Sequence, residues 1–142
     1  MKQETSVPQH KRQAREIAVK TLYEMEMGNL TRQEAEVRIR RKLRRAEVRE
    51  FAMGLINQTL ENMDSIDKII ADVAENWDIS RMAALDRSIL RLGTAEILFS
   101  DVPEKVAINE AIEIAKRFST DNSGRFVNGI LDKVARMKSD LK

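Results

Sequence analysis

Apolar residues recur along this chain at intervals of three and four, the spacing that gathers them on one face of an α-helix. No stretch alternates like a half-buried strand. Ala14, Ile17, Ala18, Leu22 and Met25 form the first stripe, and Gly28-Asn29 ends it. Thr31-Arg32-Gln33-Glu34 has the form of a capping box, which opens a second helix with a thin stripe of Ala35, Ile39 and Leu43. Val48, Phe51, Ala52, Leu55, Ile56 and Leu60 make a third. Asp64 or Ser65 is placed to cap a fourth, with Ile66, Ile69, Ile70, Val73 and Trp77 on its inner side. Asp78-Ile79-Ser80 breaks the pattern, and Ser80 is expected to cap the next helix.

That fifth helix, roughly 81–98, is apolar nearly all round: Met82, Leu85, Ile89, Leu90, Leu92, Ala95, Ile97 and Leu98. Such a helix belongs in the middle of a bundle. Pro103 stops it, because the residue before a proline avoids the helical region. Ile108, Ala111, Ile112, Ala115 and Phe118 line a sixth helix. Thr120 or Asp121 caps a seventh, with Val127, Ile130, Leu131 and Val134 inward. The spacing thus predicts an all-α protein of about seven helices. The best internal boundary lies near residues 61–64, dividing residues 1–142 into subdomains 1–63 and 64–142.

Net charge changes this picture only through its distribution. Residues 1–60 hold thirteen Lys/Arg against eight Asp/Glu, while residues 61–142 hold twelve against fifteen. A basic front half beside an acidic back half suits a polyanion on one side and a basic partner on the other. The chain has no cysteine, so disulfides, thiolate metal sites and cysteine nucleophiles are excluded. No apolar run approaches the ~20 residues of a membrane span, and the first fifteen residues lack the apolar core of a secretory signal. A cytoplasmic protein without membrane partners is expected.

Catalytic chemistry is poorly represented. His10 is the single histidine and lies in a polar, basic segment. The five glycines form neither a dinucleotide fingerprint nor a P-loop. Glu110 and Glu113 share a helix face, but a carboxylate metal site in a bundle also wants histidines, and Glu113 has Lys116 and Arg117 beside it. Neither an enzyme nor a cofactor nor a metal is expected.

Binding chemistry is richer. Lys11, Arg12, Arg15 and Lys20 crowd the start of the first helix, preceded by Lys2, and Tyr23 follows as a stacking or core residue. Cations at a helix N-terminus oppose the macrodipole, so they call for another reason to be there. The run Arg38 to Arg45 holds six cations in eight residues. It suits either a polyanion or a solvated face balanced by Glu34, Glu36, Glu47 and Glu50. Finally, Ser123, Gly124 and Arg125 fall at the start of the seventh helix, with Phe126 next. Unpaired N–H groups at a helix start accept phosphate, an arginine adds a planar cation, and an aromatic ring stacks a base. Phe126 as a plain core residue is the competing assignment.

The same stretch resembles a known family. INEAIEIAK (108–116) followed by FVNGILDKV (126–134) is similar to the NusB (N-utilisation substance B) family of bacterial transcription antitermination factors. AREIAVKTLYEME (14–26) resembles that family's first helix, and LDRSILRLGTAEILFSDVPEKVAINEAI (85–112) its central segment. The resemblance implies two small helical bundles packed together. It implies a factor that binds boxA-type single-stranded RNA with NusE, a ribosomal small-subunit protein, in the antitermination complex of RNA polymerase on ribosomal RNA operons. Lys11 and Arg12 match basic positions of the family's RNA-binding N-terminal segment, whereas Gln13 stands where the family often has arginine. Asp86 matches an acidic position in the region that meets NusE. Both monomers and homodimers occur in the family. Rival readings are an RNA-docking module of an rRNA-methylating enzyme, disfavoured by the chain's end at Lys142, and a helical scaffold without nucleic acid.

Overall fold

The computed structural model describes residues 8–75 and 77–140; Lys2 and Lys142 lie outside the described residues. These residues form seven α-helices and no strand: α1 (Pro8–Glu26), α2 (Arg32–Lys42), α3 (Ala46–Glu61), α4 (Met63–Val73), α5 (Ala84–Phe99), α6 (Glu104–Phe118) and α7 (Asp121–Asp140). A single 3₁₀ turn, Ile79–Arg81, precedes α5. The chain divides into two compact units, Met1–Asn57 and Gln58–Lys142. The division falls inside α3, ahead of the expected 63/64 boundary.

In the first unit, α1 buries Ala14, Ala18, Val19 and Leu22, and α2 buries Ala35 and Ile39. Val48, Ala52, Leu55 and Ile56 of α3 complete that core. Gly28 takes φ +80° just past α1, a conformation glycine adopts without strain, and the chain turns there. The capping box forms as expected. Glu34 N–H donates to Thr31 Oγ1 at 3.1 Å, and Thr31 N–H donates to Glu34 Oε1 at 2.8 Å. The backbone bond from Thr31 is the main reason the Glu34 carboxyl lies below its ordinary pKa.

The second unit is organised on α5, which packs on α4, α6 and α7. Ile89, Leu90, Leu92, Ala95 and Ile97 are buried along it. Burial on every side also encloses polar groups, namely Asp86, Ser88, Thr94 and Glu96. Leu85, expected in the core, is only half-buried. On α6 the buried face runs through Ala107, Ala111, Ile114 and Ala115, leaving Ile108, Ile112 and Phe118 half-buried at its edges. Arg91 on α5 forks onto Asp67 of α4 with bonds of 2.8 and 2.9 Å.

Two expected caps are corrected. Neither Asp64 nor Ser65 starts α4: the helix begins at Met63, and the Asn62 side chain donates instead to Gln58 O. Ser80 does not cap α5. Asp78 accepts from Ser80 N–H at 2.9 Å and closes the 3₁₀ turn, while α5 starts after Ala83 without a side-chain cap. Arg87 fastens that turn by donating to Ile79 O and Met82 O.

Candidate nucleic-acid interface

Helix α4 ends at Val73, so the 3.6-residue stripe does not carry on to Trp77 as expected. The chain leaves the helix, Trp77 N–H bonds Ala74 O at 2.6 Å, and the indole stands 57% exposed. It meets Phe126 of α7 edge to face, with ring centroids 5.2 Å apart and planes at 69°. Such an arrangement places the positive edge of one ring against the negative face of the other. Around this pair lies an open groove of about 240 Å³, lined also by Val73, Glu75, Arg125, Gly129 and Lys133. Phe126 is half-buried: its ring packs on Trp77 and also lines the groove.

Arg125 is exposed on α7, and its guanidinium donates to Asn122 Oδ1. It lines a second shallow groove of about 350 Å³ with Ile112, Lys116, Asp121, Gly124 and Asn128. Planar aromatic surface with cations beside it suits a nucleobase and its phosphate. The residue that sequence reasoning missed is Trp77. No local signal marked it, because Trp77 lies four residues after Val73 and so continues the apolar spacing of the helix.

Ser123 and Gly124 do not form the open phosphate cradle expected of them. Helix α7 begins earlier, at Asp121, so both residues fall within its first turn. Thr120 is the cap: Ser123 N–H donates to Thr120 Oγ1 at 3.0 Å, and Gly124 N–H to Thr120 O at 3.2 Å. Those two donors are therefore already used. The Ser123 side chain is buried, sharing a 2.8 Å bond with Ser119 Oγ and donating to Asp86 Oδ2 at 3.2 Å. Gly124 serves helix packing. A Cβ there would lie 2.8 Å from Lys116 Cγ, so its absence lets α7 approach α6.

Asp86, expected to meet a protein partner, is 9% exposed and belongs to the interior. Burial raises its carboxyl above the ordinary range, and the bond from Ser123 offsets this only in part. Its Oδ1 has no hydrogen bond among the described residues. The neighbouring arginines are committed elsewhere, Arg87 to the 3₁₀ turn and Arg91 to Asp67.

In the first unit, α1 carries the remaining predicted residues. Lys11 Nζ and Arg15 Cζ both sit over the Phe51 ring, at 5.3 and 5.0 Å from its centroid. Arg15 is only 3% exposed, which removes it from the surface cations and makes it part of the α1–α3 packing. Lys11 is half-buried, Arg12 and Lys20 are exposed, and Tyr23 is half-buried. Among the described residues no group of three or more His, Asp or Glu is arranged to hold a metal ion. None of the described helices is long and apolar enough to cross a membrane.

The NusB family profile matches residues 12–136, nearly the whole described chain. The chain belongs to the NusB family. It is 46% identical to the transcription antitermination protein NusB of Salinibacter ruber over 127 residues, covering 87% of this chain and 79% of that protein. The solved structure of T. maritima NusB is 39% identical and superposes with a TM-score of 0.79, covering 93% of each chain. A crystal structure of the antitermination factors NusB and NusE in complex with dsRNA superposes with a TM-score of 0.80 at 26% identity. That match covers 92% of this chain and 99% of the NusB chain there. NusB relatives are transcription antitermination proteins, and membership gives this chain that function.

Proposed function

We propose that this NusB-family chain binds a short single-stranded RNA element of the boxA type together with NusE. In that role it joins the antitermination complex of RNA polymerase on ribosomal RNA operons, in the cytoplasm. The relative solved with NusE and dsRNA supports NusE and RNA as classes of partner. The observation that carries the strandedness is the exposed Trp77 indole packed on half-buried Phe126, beside Arg125 in one groove. Bases in a duplex hide their faces, whereas unstacked bases offer them to aromatic side chains.

Work is divided among the residues as follows. Trp77 and Phe126 stack bases, and Arg125 and Lys133 hold phosphates beside them. On α1, Lys11, Arg12 and Lys20 add positive charge, and Tyr23 is a further stacking candidate. Ser123 and Gly124 act at one remove, by holding the start of α7 so that Arg125 and Phe126 keep their positions. With Asp86 enclosed, the NusE contact falls to exposed acids of the same region, such as Glu61 and Asp72. The mechanism is recognition, with no bond made or broken.

The test is binding to boxA-type RNA and to a scrambled strand of equal length, with and without NusE. Tighter binding to the boxA-type strand, strengthened by NusE, is the expected result. Equal retention of both strands regardless of NusE overturns the assignment.

A further inference from the structure

The basic run Arg38 to Arg45 is not used by the groove on α7, and the structure sorts its six cations into two groups. Arg38 pairs with Glu24, Arg40 with Glu36 at 3.1 Å, and Arg45 with Glu47 at 3.9 Å. Arg41, Lys42 and Arg44 are exposed and have no hydrogen-bond or ion-pair partner among the described residues. A balanced solvated face accounts for the first group and leaves the second unexplained.

Local folding does not require all of the second group. Cations in the last turn of α2 suit its dipole, and Arg40 already supplies one there. Arg44 lies ahead of the first turn of α3, where a cation opposes the dipole. The carbonyls of the α2–α3 turn are served by another residue: Arg49 Nη1 donates to Leu43 O at 3.2 Å and to Arg44 O at 2.8 Å. Lys42 and Arg44 therefore stand free of the turn they flank.

Both line a notch of about 250 Å³ between this turn and the start of α1, with His10, Gln13 and Arg45. No carboxylate is among the lining residues. Beside apolar Leu43 and Val48 the notch offers an ammonium, guanidinium forks and a side-chain amide, so its polar groups are mostly donors. Like charges brought this close repel one another, and a polyanion removes that cost. Guanidinium forks match phosphate oxygens, and an ammonium binds them as a point charge.

We propose that this notch, built on Lys42 and Arg44 with Arg45 and His10 at its walls, is a phosphodiester-binding site of the first unit. It holds the backbone of a nucleic-acid strand without reading its bases, and it is separate from the aromatic groove of the second unit. The identity of the strand as RNA rests on the proposed function; the site itself can be tested without it.

The probe is a labelled sugar–phosphate oligomer that carries no bases, followed by anisotropy at several salt concentrations. The native chain is expected to bind it, and Lys42→Ala with Arg44→Ala to lose most of that binding. The log–log salt slope should fall by roughly 0.7 for each phosphate contact removed. Arg40→Ala, which removes a paired cation, should leave the curve unchanged. Equal binding by the double variant, an equal loss in Arg40→Ala, or no binding by the native chain overturns the site. Poly-glutamate bound as tightly as the oligomer assigns the notch to acidic protein and overturns the phosphate reading. If the oligomer binds through the notch while RNA shows no dependence on Trp77 or Phe126, the notch stands and the aromatic reading falls. Thermal melts of each variant confirm that the fold is intact, since both substituted side chains are exposed.

Discussion

Ser123 on α7 donates its hydroxyl to Asp86 on α5 across a distance of 3.2 Å, joining the first turns of two helices inside the second unit. One oxygen of Asp86 is thereby satisfied and the other is not. The carboxylate is enclosed with a single donor, so its charged form is disfavoured.

The consequence is a pH dependence of stability. The folded-state pKa of Asp86 is raised above 3.8 by burial, partly offset by Ser123. Its favourable contribution is therefore fully present below 3.8 and is lost as pH rises through the raised value. Asp86→Asn removes the titration. The stability difference between that variant and the native chain should move toward the variant as pH rises from below 3.8 through the raised value. Chemical denaturation across this range checks it, and a difference that is flat or moves the other way contradicts it.

Burial separates two leucine-type positions on α5 that look alike in sequence. Ile89 is enclosed, while Leu85 is half-buried. Ile89→Ala should cost about 2–5 kcal/mol. Leu85→Ala should cost clearly less, because part of its side chain already meets water. Urea melts of the two variants give the comparison.

Arg15 and Arg12, three residues apart in one helix, should behave differently. Arg15 lies under cover against Phe51, and a desolvated cation–π contact is worth about 2 kcal/mol or more. Arg15→Ala should lower the melting temperature. Arg12→Ala should leave it nearly unchanged, because surface substitutions generally stay within about 0.5 kcal/mol. Equal melting temperatures for the two variants would refute the buried role of Arg15.

Elements whose cause is local were legible in the sequence. The stripes of α1, α3 and α5 follow from spacing alone, and the Thr31–Glu34 box needs only four consecutive residues to form. What depended on distant partners was not legible. Asp86 reads as a surface acid until Ser123, 37 positions later, is placed over it. Arg15 reads as one more cation of a basic segment until Phe51 supplies the ring beneath it. Trp77 sits four residues after Val73 and so continues the apolar count, although the backbone has already left the helix. At the α7 site, Arg125 and Phe126 were found by residue type, and Trp77 was found only when folding brought its loop to Phe126.

Stacking residues should affect binding more than folding. Trp77→Leu and Phe126→Leu each keep an apolar side chain but remove a π-face, typically worth ~1–3 kcal/mol per base. RNA affinity should fall by that amount in both. The melting temperature should stay unchanged for Trp77→Leu, since its indole is exposed. Normal RNA affinity in both variants, with Phe126→Leu melting early, would return Phe126 to a purely structural role.

Trp77 is the single tryptophan of the chain, so its fluorescence reports on the proposed base-binding groove alone. Titration of the native chain with boxA-type single-stranded RNA should quench this emission saturably, with the same midpoint that anisotropy of labelled RNA gives. Arg125→Ala should move both midpoints to higher RNA concentration together. An unchanged emission spectrum while anisotropy shows the RNA bound would place the RNA elsewhere on the protein and contradict the account.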